Sequence, residues 1–272
     1  MKITRGKKIV PRRVLLYGTH GIGKSSWAAQ APDVLFLDLE GGLNDIDVAK
    51  TEHLEDTKGS SGLTKVAEAL TWLSSNKHDF KWLAIDSVDW LEALIHAEIA
   101  REAGKATIGD IGYGAGYKSA VAHWDKLLQF LDWLRTECGM GIILLAHTVV
   151  KKYTDPMTDS YDRYQPALHE TASAMLQEWA DEVLFASYRV HTRKQDEGFG
   201  KERIIAGGSG ERLIRCTETP GALAKNRLTM PETIDFSWAA YAQYFTQAAP
   251  AAANIGGIVV DGSSKKTEVT NG

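Results

Sequence analysis

The sequence predicts an α/β fold in which a mostly parallel, doubly wound sheet is followed by antiparallel strands in the C-terminal part. Short apolar runs, typical of strands buried on both faces, alternate with segments of helical spacing. This alternation implies right-handed crossovers that place helices on both faces of the sheet. Beyond about residue 181 the pattern changes to shorter strands around glycine-containing turns, which indicate antiparallel pairing.

The individual elements follow from local patterns. Strands are predicted at 13–17, 34–38, 82–86, 141–145 and 181–186, and shorter antiparallel strands at 188–192, 202–206 and 212–216. The clearest helix has an apolar stripe with spacings of three or four residues, formed by Tyr117, Val121, Trp124, Leu128, Leu131, Leu134 and Cys138. We expect one domain over residues 1–246 and a flexible tail over 247–272, which is rich in small residues.

Composition excludes several classes of protein. The chain has 272 residues, and 31 Lys and Arg against 35 Asp and Glu give a formal net charge of −4. Binding through bulk positive charge is therefore disfavoured, and any nucleic acid would have to be held by local basic loops. Two cysteines are too few for a disulfide framework, and no secretory signal or membrane-spanning run is present. These features predict a cytoplasmic protein.

A glycine-rich segment directly after the first strand fits the phosphate-loop pattern G-x-x-x-x-G-K-[ST] over residues 18–25. In such a loop, backbone N–H groups turn inward around phosphate oxygens. Lys24 is expected to reach the β- and γ-phosphates, and the hydroxyl of Ser25 is expected to bind Mg²⁺. The predicted nucleotide-binding residues are Gly18, Thr19, His20, Gly21, Ile22, Gly23, Lys24, Ser25 and Ser26.

Three polar residues lie at other strand ends, where ligands of an open parallel sheet bind. Asp86 is placed to hold Mg²⁺ together with Ser25, although it could instead cap the following helix. Glu40 could take a proton from the attacking water or be a solvated loop acid. His147 could sense the terminal phosphate or be structural. The sequence N-K-x-D, which selects guanine, does not occur, so ATP is predicted over GTP.

Together these residues resemble the RecA-like ATPases, and more specifically the phage ATPases of the Sak type, which act in single-strand annealing and recombination. Four segments carry the resemblance: L-D-L-E-G-G-L at 37–43, I-D-S at 85–87, L-L-A-H at 144–147 and A-K-N-R at 224–227. It extends over about residues 13–245. The fold that it implies is a RecA-like P-loop NTPase core, and a phage-encoded protein would act in the host cytoplasm.

The resemblance also implies roles for site residues. Glu40 would be the catalytic glutamate and His147 the γ-phosphate sensor, where RecA has glutamine. Lys225 and Arg227 would reach the phosphate of a neighbouring subunit, so that hydrolysis requires assembly. Both cations alternate on a predicted strand at 223–228, where they could instead form a solvated edge. The oligomerisation segment and extended C-terminal domain of full RecA are not recognisable, which leaves the mode of assembly open.

Two long segments, 103–118 and 148–168, combine cations with tyrosines and occur where RecA-like proteins have their DNA-facing loops. Phosphates attract cations and bases stack on aromatic rings, so the pattern suits single-stranded nucleic acid. The alternative is a nucleotide lid with surface tyrosines. The candidate DNA-binding residues are Lys105, Tyr113, Lys118, Lys151, Lys152, Tyr153, Arg163 and Tyr164.

The sequence thus predicts an ATP- and Mg²⁺-dependent ATPase that forms a ring or filament of identical subunits and binds single-stranded DNA. A single-strand DNA-binding protein is a further possible partner, and a membrane is not expected. Two alternatives remain at this stage. One is a nucleotide-gated DNA loader with little hydrolysis, and the other is a P-loop kinase for a small molecule.

Overall fold

The computed structural model describes residues 10–196 and 202–246 of the chain. In this part of the chain, nine strands form one sheet. The strands are β1 (Arg13–Gly18), β2 (Val34–Asp38), β3 (Ala49–Lys50), β4 (Trp82–Asp86), β5 (Gly141–Tyr153), β6 (Tyr161–Pro166), β7 (Glu182–Asp196), β8 (Glu202–Arg215) and β9 (Thr233–Asp235). Their order is β3-β2-β4-β5-β1-β7-β8-β9, and β6 pairs with the far end of β5. Pairing is parallel from β3 to β7 and antiparallel for β7–β8, β8–β9 and β5–β6. The predicted fold class is confirmed.

Helices cover both faces of this sheet, as the doubly wound prediction requires. They are α1 (Lys24–Ala28), α2 (Gly62–Ser75), α3 (Val88–Glu102), α4 (Ala115–Glu137), α5 (Glu170–Trp179) and α6 (Trp238–Thr246). Residues of α2, α3, α4 and α5 share one apolar core with the sheet, and residues of α1 and α6 share the core on the other face. Within the described ranges, no helix combines the length and the apolar content needed to cross a membrane.

The predicted stripe on α4 is confirmed at its centre. Trp124, Leu128, Leu131 and Leu134 are buried against the sheet and its neighbouring helices. Tyr117 and Val121 are only half-buried, and Cys138 is exposed beyond the end of the helix. The buried stripe therefore extends from Trp124 to Leu134 and is shorter than the predicted one, which extended from Tyr117 to Cys138.

Strand register brings the predicted polar residues to one edge of the sheet. Asp38 at the end of β2 pairs with Asp86 at the end of β4. On the other side of β5, Gly18 at the end of β1 pairs with His147. Because all four strands are parallel, their carboxyl ends form a single edge, and this edge carries the glycine-rich loop.

The segment 148–168 was expected to be a long loop and is mostly a β-hairpin. β5 continues to Tyr153, and its residues from Thr148 onward pair with β6 from Pro166 back to Tyr161. The β-branched residues Val149 and Val150 favour an extended backbone and continue β5 beyond its buried part, whereas the predicted strand ended at residue 145.

The other expected DNA loop, 103–118, is also more regular than predicted. Two short 3₁₀ turns, Ile108–Asp110 and Gly112–Gly114, lead directly into α4 at Ala115. Residues 115–118 are therefore helical, and only the part before them connects α3 to α4.

The predicted strand at 223–228 is wrong, because only isolated bridges form there. Lys225 pairs with Val183, and Ala222 pairs with Tyr164. Asn226 donates its side-chain amide to the carbonyl of Cys216 and accepts the backbone N–H of Met230. Such local side-chain bonds turn the chain away from regular pairing.

The antiparallel part is longer than predicted, because the segments expected as separate short strands belong to β7 and β8, which form one hairpin. A shift in register between Tyr188 and Val190 interrupts the pairing. The predicted tail, 247–272, lies outside the described residues.

The α4 stripe yields a stability prediction. Leu131 is fully buried, so Leu131→Ala should lower the free energy of unfolding by about 2–5 kcal/mol through lost apolar contacts and a residual cavity. Gln129→Ala, on the exposed side of the same helix, is the control and should change it by less than about 0.5 kcal/mol. Chemical denaturation of both variants measures the difference. Equal losses would mean that α4 does not pack as described.

Candidate active site

The glycine-rich loop connects β1 to α1 and has the backbone geometry that its sequence predicts. Gly21 and Gly23 have φ angles of +71° and +98°, in the left-handed region that favours glycine. A Cβ atom on Gly18 would lie 2.6 Å from the carbonyl oxygen of Ala186, so close approach of β7 requires glycine there. The loop is therefore a tight backbone cradle at the end of the central strand.

The side chain of Lys24 lies inside this cradle. It is buried, and its Nζ donates to the carbonyl oxygens of Gly18 and Thr19 at 3.3 Å each. Burial lowers the pKa of the Lys24 ammonium, while the nearby carboxylates of Asp86 and Glu40 act in the opposite direction. A cation held only by carbonyl groups within its own loop can bind an incoming phosphate there.

Ser25 and Asp86 form an oxygen pair beside Lys24. The Ser25 hydroxyl donates to Asp86 Oδ2 at 2.6 Å, and the residue Asp86 is 4% exposed. Burial raises the pKa of Asp86 to about 6, with a further upward contribution from Glu40, while the Ser25 hydrogen bond lowers it. A hydroxyl and a carboxylate at this separation match the oxygen ligands that Mg²⁺ prefers, so the residues fit this metal.

Glu40 lies in the turn after β2, and that turn is held in place by Asp38. The Asp38 Oδ1 atom accepts the backbone N–H of Gly41 at 2.7 Å, while the backbone N–H of Asp38 donates to Thr51 Oγ1 at 3.1 Å. The Glu40 side chain is 35% exposed, and its Oε1 lies 3.8 Å from His147 Nε2. Glu40 is thus solvent-accessible and directed toward the same edge as Asp86.

His147 is buried on β5 at the point where the parallel pairing with β1 ends and the antiparallel pairing with β6 begins. The carboxylate of Asp89 contacts it twice, with Oδ1 accepting the backbone N–H at 3.0 Å and Oδ2 lying 2.8 Å from Nδ1. The ring of His20 stacks on the His147 ring with centroids 3.9 Å apart. The loop residue and the strand-end residue, predicted separately, are in direct contact.

Sequence reasoning missed Asp89 and Arg212. Asp89 lies in the first turn of α3, where an acid is explained by the helix alone. Arg212, on β8, donates from Nη1 to the carbonyl of Ile22 at 3.0 Å and lies over the Phe236 ring. Nothing in the local sequence of Arg212 indicates this contact, because 190 positions separate it from Ile22.

Lys225 and Arg227 do not join the site of their own chain. Both contact the residues just before β7, where Asp181 donates its backbone N–H to the carbonyl of Arg13 at the start of β1, whereas the loop follows the end of β1. Lys225 Nζ donates to carbonyls at the end of α5, those of Gln177, Glu178 and Ala180, at 2.8, 3.2 and 2.8 Å. Arg227 Nη1 donates to Asp181 Oδ1 at 2.9 Å, and its side chain remains 53% exposed.

The predicted DNA-binding residues divide into exposed and engaged groups. Lys105, Tyr113, Lys118 and Lys152 are exposed. Lys151 donates from Nζ to the Leu168 carbonyl at 3.0 Å. Arg163, a candidate DNA-binding residue, is buried, pairs with Glu218 and lies over the Tyr153 ring, so its guanidinium is not exposed to a DNA strand.

Tyr164, on strand β6 of the hairpin, faces a cavity that the glycine-rich loop also lines. Its ring stacks on Phe185 with centroids 5.0 Å apart, yet the residue is 40% exposed. Tyr164, Tyr188 and Thr19 all line one cavity of about 330 Å³. Tyr164 of the hairpin and Thr19 of the glycine-rich loop therefore line the same cavity.

Comparisons with known proteins place this geometry in a family. A comparison with curated proteins found no match. Among solved structures, the chain is similar to the crystal structure of the RadB recombinase, with 12% identity, a TM-score of 0.46 and coverage of 85% of this chain and 90% of that one. A family model described as an AAA domain matches residues 10–228, most of the chain. The family indicates nucleotide binding and hydrolysis, in agreement with the loop, and the chain belongs to the AAA domain family.

Proposed function

We propose that the protein is a RecA-like ATPase that binds single-stranded DNA and hydrolyses ATP between subunits, as in phage annealing or recombination. One observation carries the proposal. Lys24, the Ser25–Asp86 pair, and the Glu40–His147 pair come from four separate strand ends and lie at one edge of the sheet. These are the groups that phosphoryl transfer to water requires, namely a phosphate cradle, metal ligands and a base.

Each residue has a distinct role in this proposal. Lys24 and the backbone N–H groups of the loop bind the phosphates, and the oxygens of Ser25 and Asp86 hold Mg²⁺. The metal supplies positive charge that offsets the charge on the phosphate oxygens. Glu40, which is accessible to solvent, accepts the proton of the attacking water.

Assembly is the second part of the proposal. Lys225 and Arg227 lie at the opposite end of the strands from their own loop, so they can serve a phosphate only in a neighbouring subunit. The exposure of Arg227 supports this role, since its contact with Asp181 leaves about half of the side chain accessible. Lys225 is more engaged, because it already binds three carbonyls of its own chain.

Single-stranded DNA is the proposed polymer substrate. β5 runs without interruption from His147 into the hairpin, so a change at the sensor is passed directly to the strand that carries Lys152. Lys152 and Tyr164 are exposed on this hairpin, and Tyr113 is fully exposed in the 3₁₀ turn before α4. Exposed cations with exposed aromatic rings suit a flexible strand whose bases are unpaired.

The first prediction concerns hydrolysis. Glu40→Gln should lower ATP turnover by about two orders of magnitude, because the amide cannot accept the water proton, while ATP affinity stays nearly unchanged. Glu52→Gln, an exposed acid in the following loop, is the control and should leave turnover unchanged. Phosphate release and nucleotide titration measure the two quantities. An unchanged rate in Glu40→Gln would favour a DNA loader with little hydrolysis.

The second prediction concerns the subunit interface. Arg227→Ala alone should bind ATP but turn over very slowly. Mixing it with an equal amount of Glu40→Gln should restore about a quarter of wild-type turnover, because one interface in four then pairs an intact Glu40 with an intact Arg227. Turnover of the mixture, compared with each variant alone, measures this. A mixture no more active than its components, or an active Arg227→Ala, would contradict action between subunits.

The third prediction concerns DNA. Lys152→Ala should weaken binding of an oligothymidylate and reduce the slope of log affinity against log salt by about 0.7, the value for one lost phosphate contact on a single strand. Lys77→Ala, an exposed lysine after α2, is the control and should change neither quantity. Fluorescence anisotropy over a salt series in the presence of a slowly hydrolysed ATP analogue measures both. An unchanged slope for Lys152→Ala would place the DNA elsewhere.

A further inference from the structure

The ring of His147 is held at a defined orientation by a residue outside the glycine-rich loop. Asp89, on the first turn of α3, uses one carboxylate oxygen for the His147 backbone N–H and the other for Nδ1. His147 is 6% exposed. The side chain of Asp89 therefore holds both the backbone N–H and the imidazole ring of His147.

The charge state of Asp89 determines which ring nitrogen carries a proton. Burial alone would raise the pKa of Asp89, but the hydrogen bonds from His147 outweigh it, and the pKa of Asp89 lies below its ordinary value. An ionised carboxylate can only accept hydrogen bonds. Nδ1 of His147 must therefore carry the hydrogen, and Nε2 is the nitrogen left for the site.

The direction of Nε2 is equally defined. It lies 3.8 Å from Glu40 Oε1, on the side of the ring opposite Asp89. His20 covers one face of the ring, with an angle of 20° between the two ring planes. The imidazole is thus held at Nδ1, at its backbone and on one face, while Nε2 points to Glu40.

We propose that Asp89 is a positioning residue that holds His147 in the Nδ1–H form, so that Nε2 is presented to Glu40 and the glycine-rich loop. Asp89 acts only through His147. The catalytic consequence rests on the proposed function, whereas the tautomer itself is a property of the nucleotide-free protein.

An amide at position 89 should reverse the tautomer. In Asp89→Asn, the backbone N–H of His147 still needs an acceptor, so the amide oxygen takes it and the NH₂ group faces Nδ1. An NH₂ group can only donate there, which places the ring hydrogen on Nε2. The substitution keeps the size of the side chain, replaces one carboxylate oxygen by an NH₂ group and removes the negative charge.

Glu92 provides a matched control on the same helix face, one turn further along α3. It is buried, and its Oε2 accepts the backbone N–H of His169 at 2.9 Å. Glu92→Gln can keep this bond through its amide oxygen, and the bond does not involve His147. Any general effect of an amide on α3 would appear in both variants.

The experiment is ¹⁵N–¹H correlation spectroscopy of the full chain with labelled histidine, with the His147 signal identified from its loss in His147→Gln. We expect a protonated Nδ1 in the wild type and in Glu92→Gln, and a protonated Nε2 with an unprotonated Nδ1 in Asp89→Asn. Turnover of Asp89→Asn should fall by about 10- to 100-fold with KM for ATP changed by less than about threefold. Asp89→Glu, which keeps the carboxylate, should restore the Nδ1–H form.

The outcomes separate the two proposals. A wild-type ring protonated only at Nε2 would overturn the inference even if every variant proved unstable. An unchanged tautomer in folded Asp89→Asn would overturn it as well. Unchanged turnover in Asp89→Asn with a reversed tautomer would overturn its catalytic part. A wild type without any ATP turnover would instead refute the proposed function, while the spectra would still decide the role of Asp89.

Discussion

Parallel pairing of β2, β4, β5 and β1 is the constraint on which the site depends. Neighbouring parallel strands end at the same edge, so a polar residue at each end is brought beside the others without any further device. Asp86 and His147 come together in this way although 60 residues, 87–146, lie between them in the chain and include two long helices. The buried apolar runs that form the sheet are therefore also what assembles the chemistry.

At this edge of the sheet, carboxylates outnumber the positively charged side chains. Asp86, Glu40 and Asp89 all lie near the buried ammonium of Lys24, and burial with carboxylate repulsion holds the pKa of Asp86 at about 6. Like charges this close are unfavourable without added positive charge. The arrangement is therefore suited to a divalent cation.

The opposite edge of the sheet has a different organisation. Asp181 accepts hydrogen bonds from Arg13, Arg135 and Arg227. Burial alone would raise the pKa of Asp181, but Arg13 and Arg135 outweigh it and leave that pKa below its ordinary value. Two of the three arginines are largely buried, and Arg227 is the exposed one. Loss of Arg227 thus leaves Asp181 paired, which makes Arg227→Ala a clean variant for separating an interface role from a structural one.

The fold class, the strands at 13–17, 34–38 and 82–86, and the P-loop were all predictable from the sequence, because each depends on a run of adjacent residues. The same logic placed Asp86, Glu40 and His147 at strand ends. It failed where short-range patterns are ambiguous: the hairpin at 148–166 was expected to be a loop, the strand at 223–228 does not form, and Arg163 is buried.

The contacts that orient the site arise only when distant segments pack together. Asp89 reaches His147 across 58 positions, and Arg212 reaches Ile22 across 190. Local structure alone explains Asp89 as an acid in a first helical turn and Arg212 as an arginine on a strand, so the sequence does not indicate a role in the site for either residue. A hydrogen bond forms between atoms about 3 Å apart in space, and the positions of two residues in the sequence do not show whether the fold brings them that close.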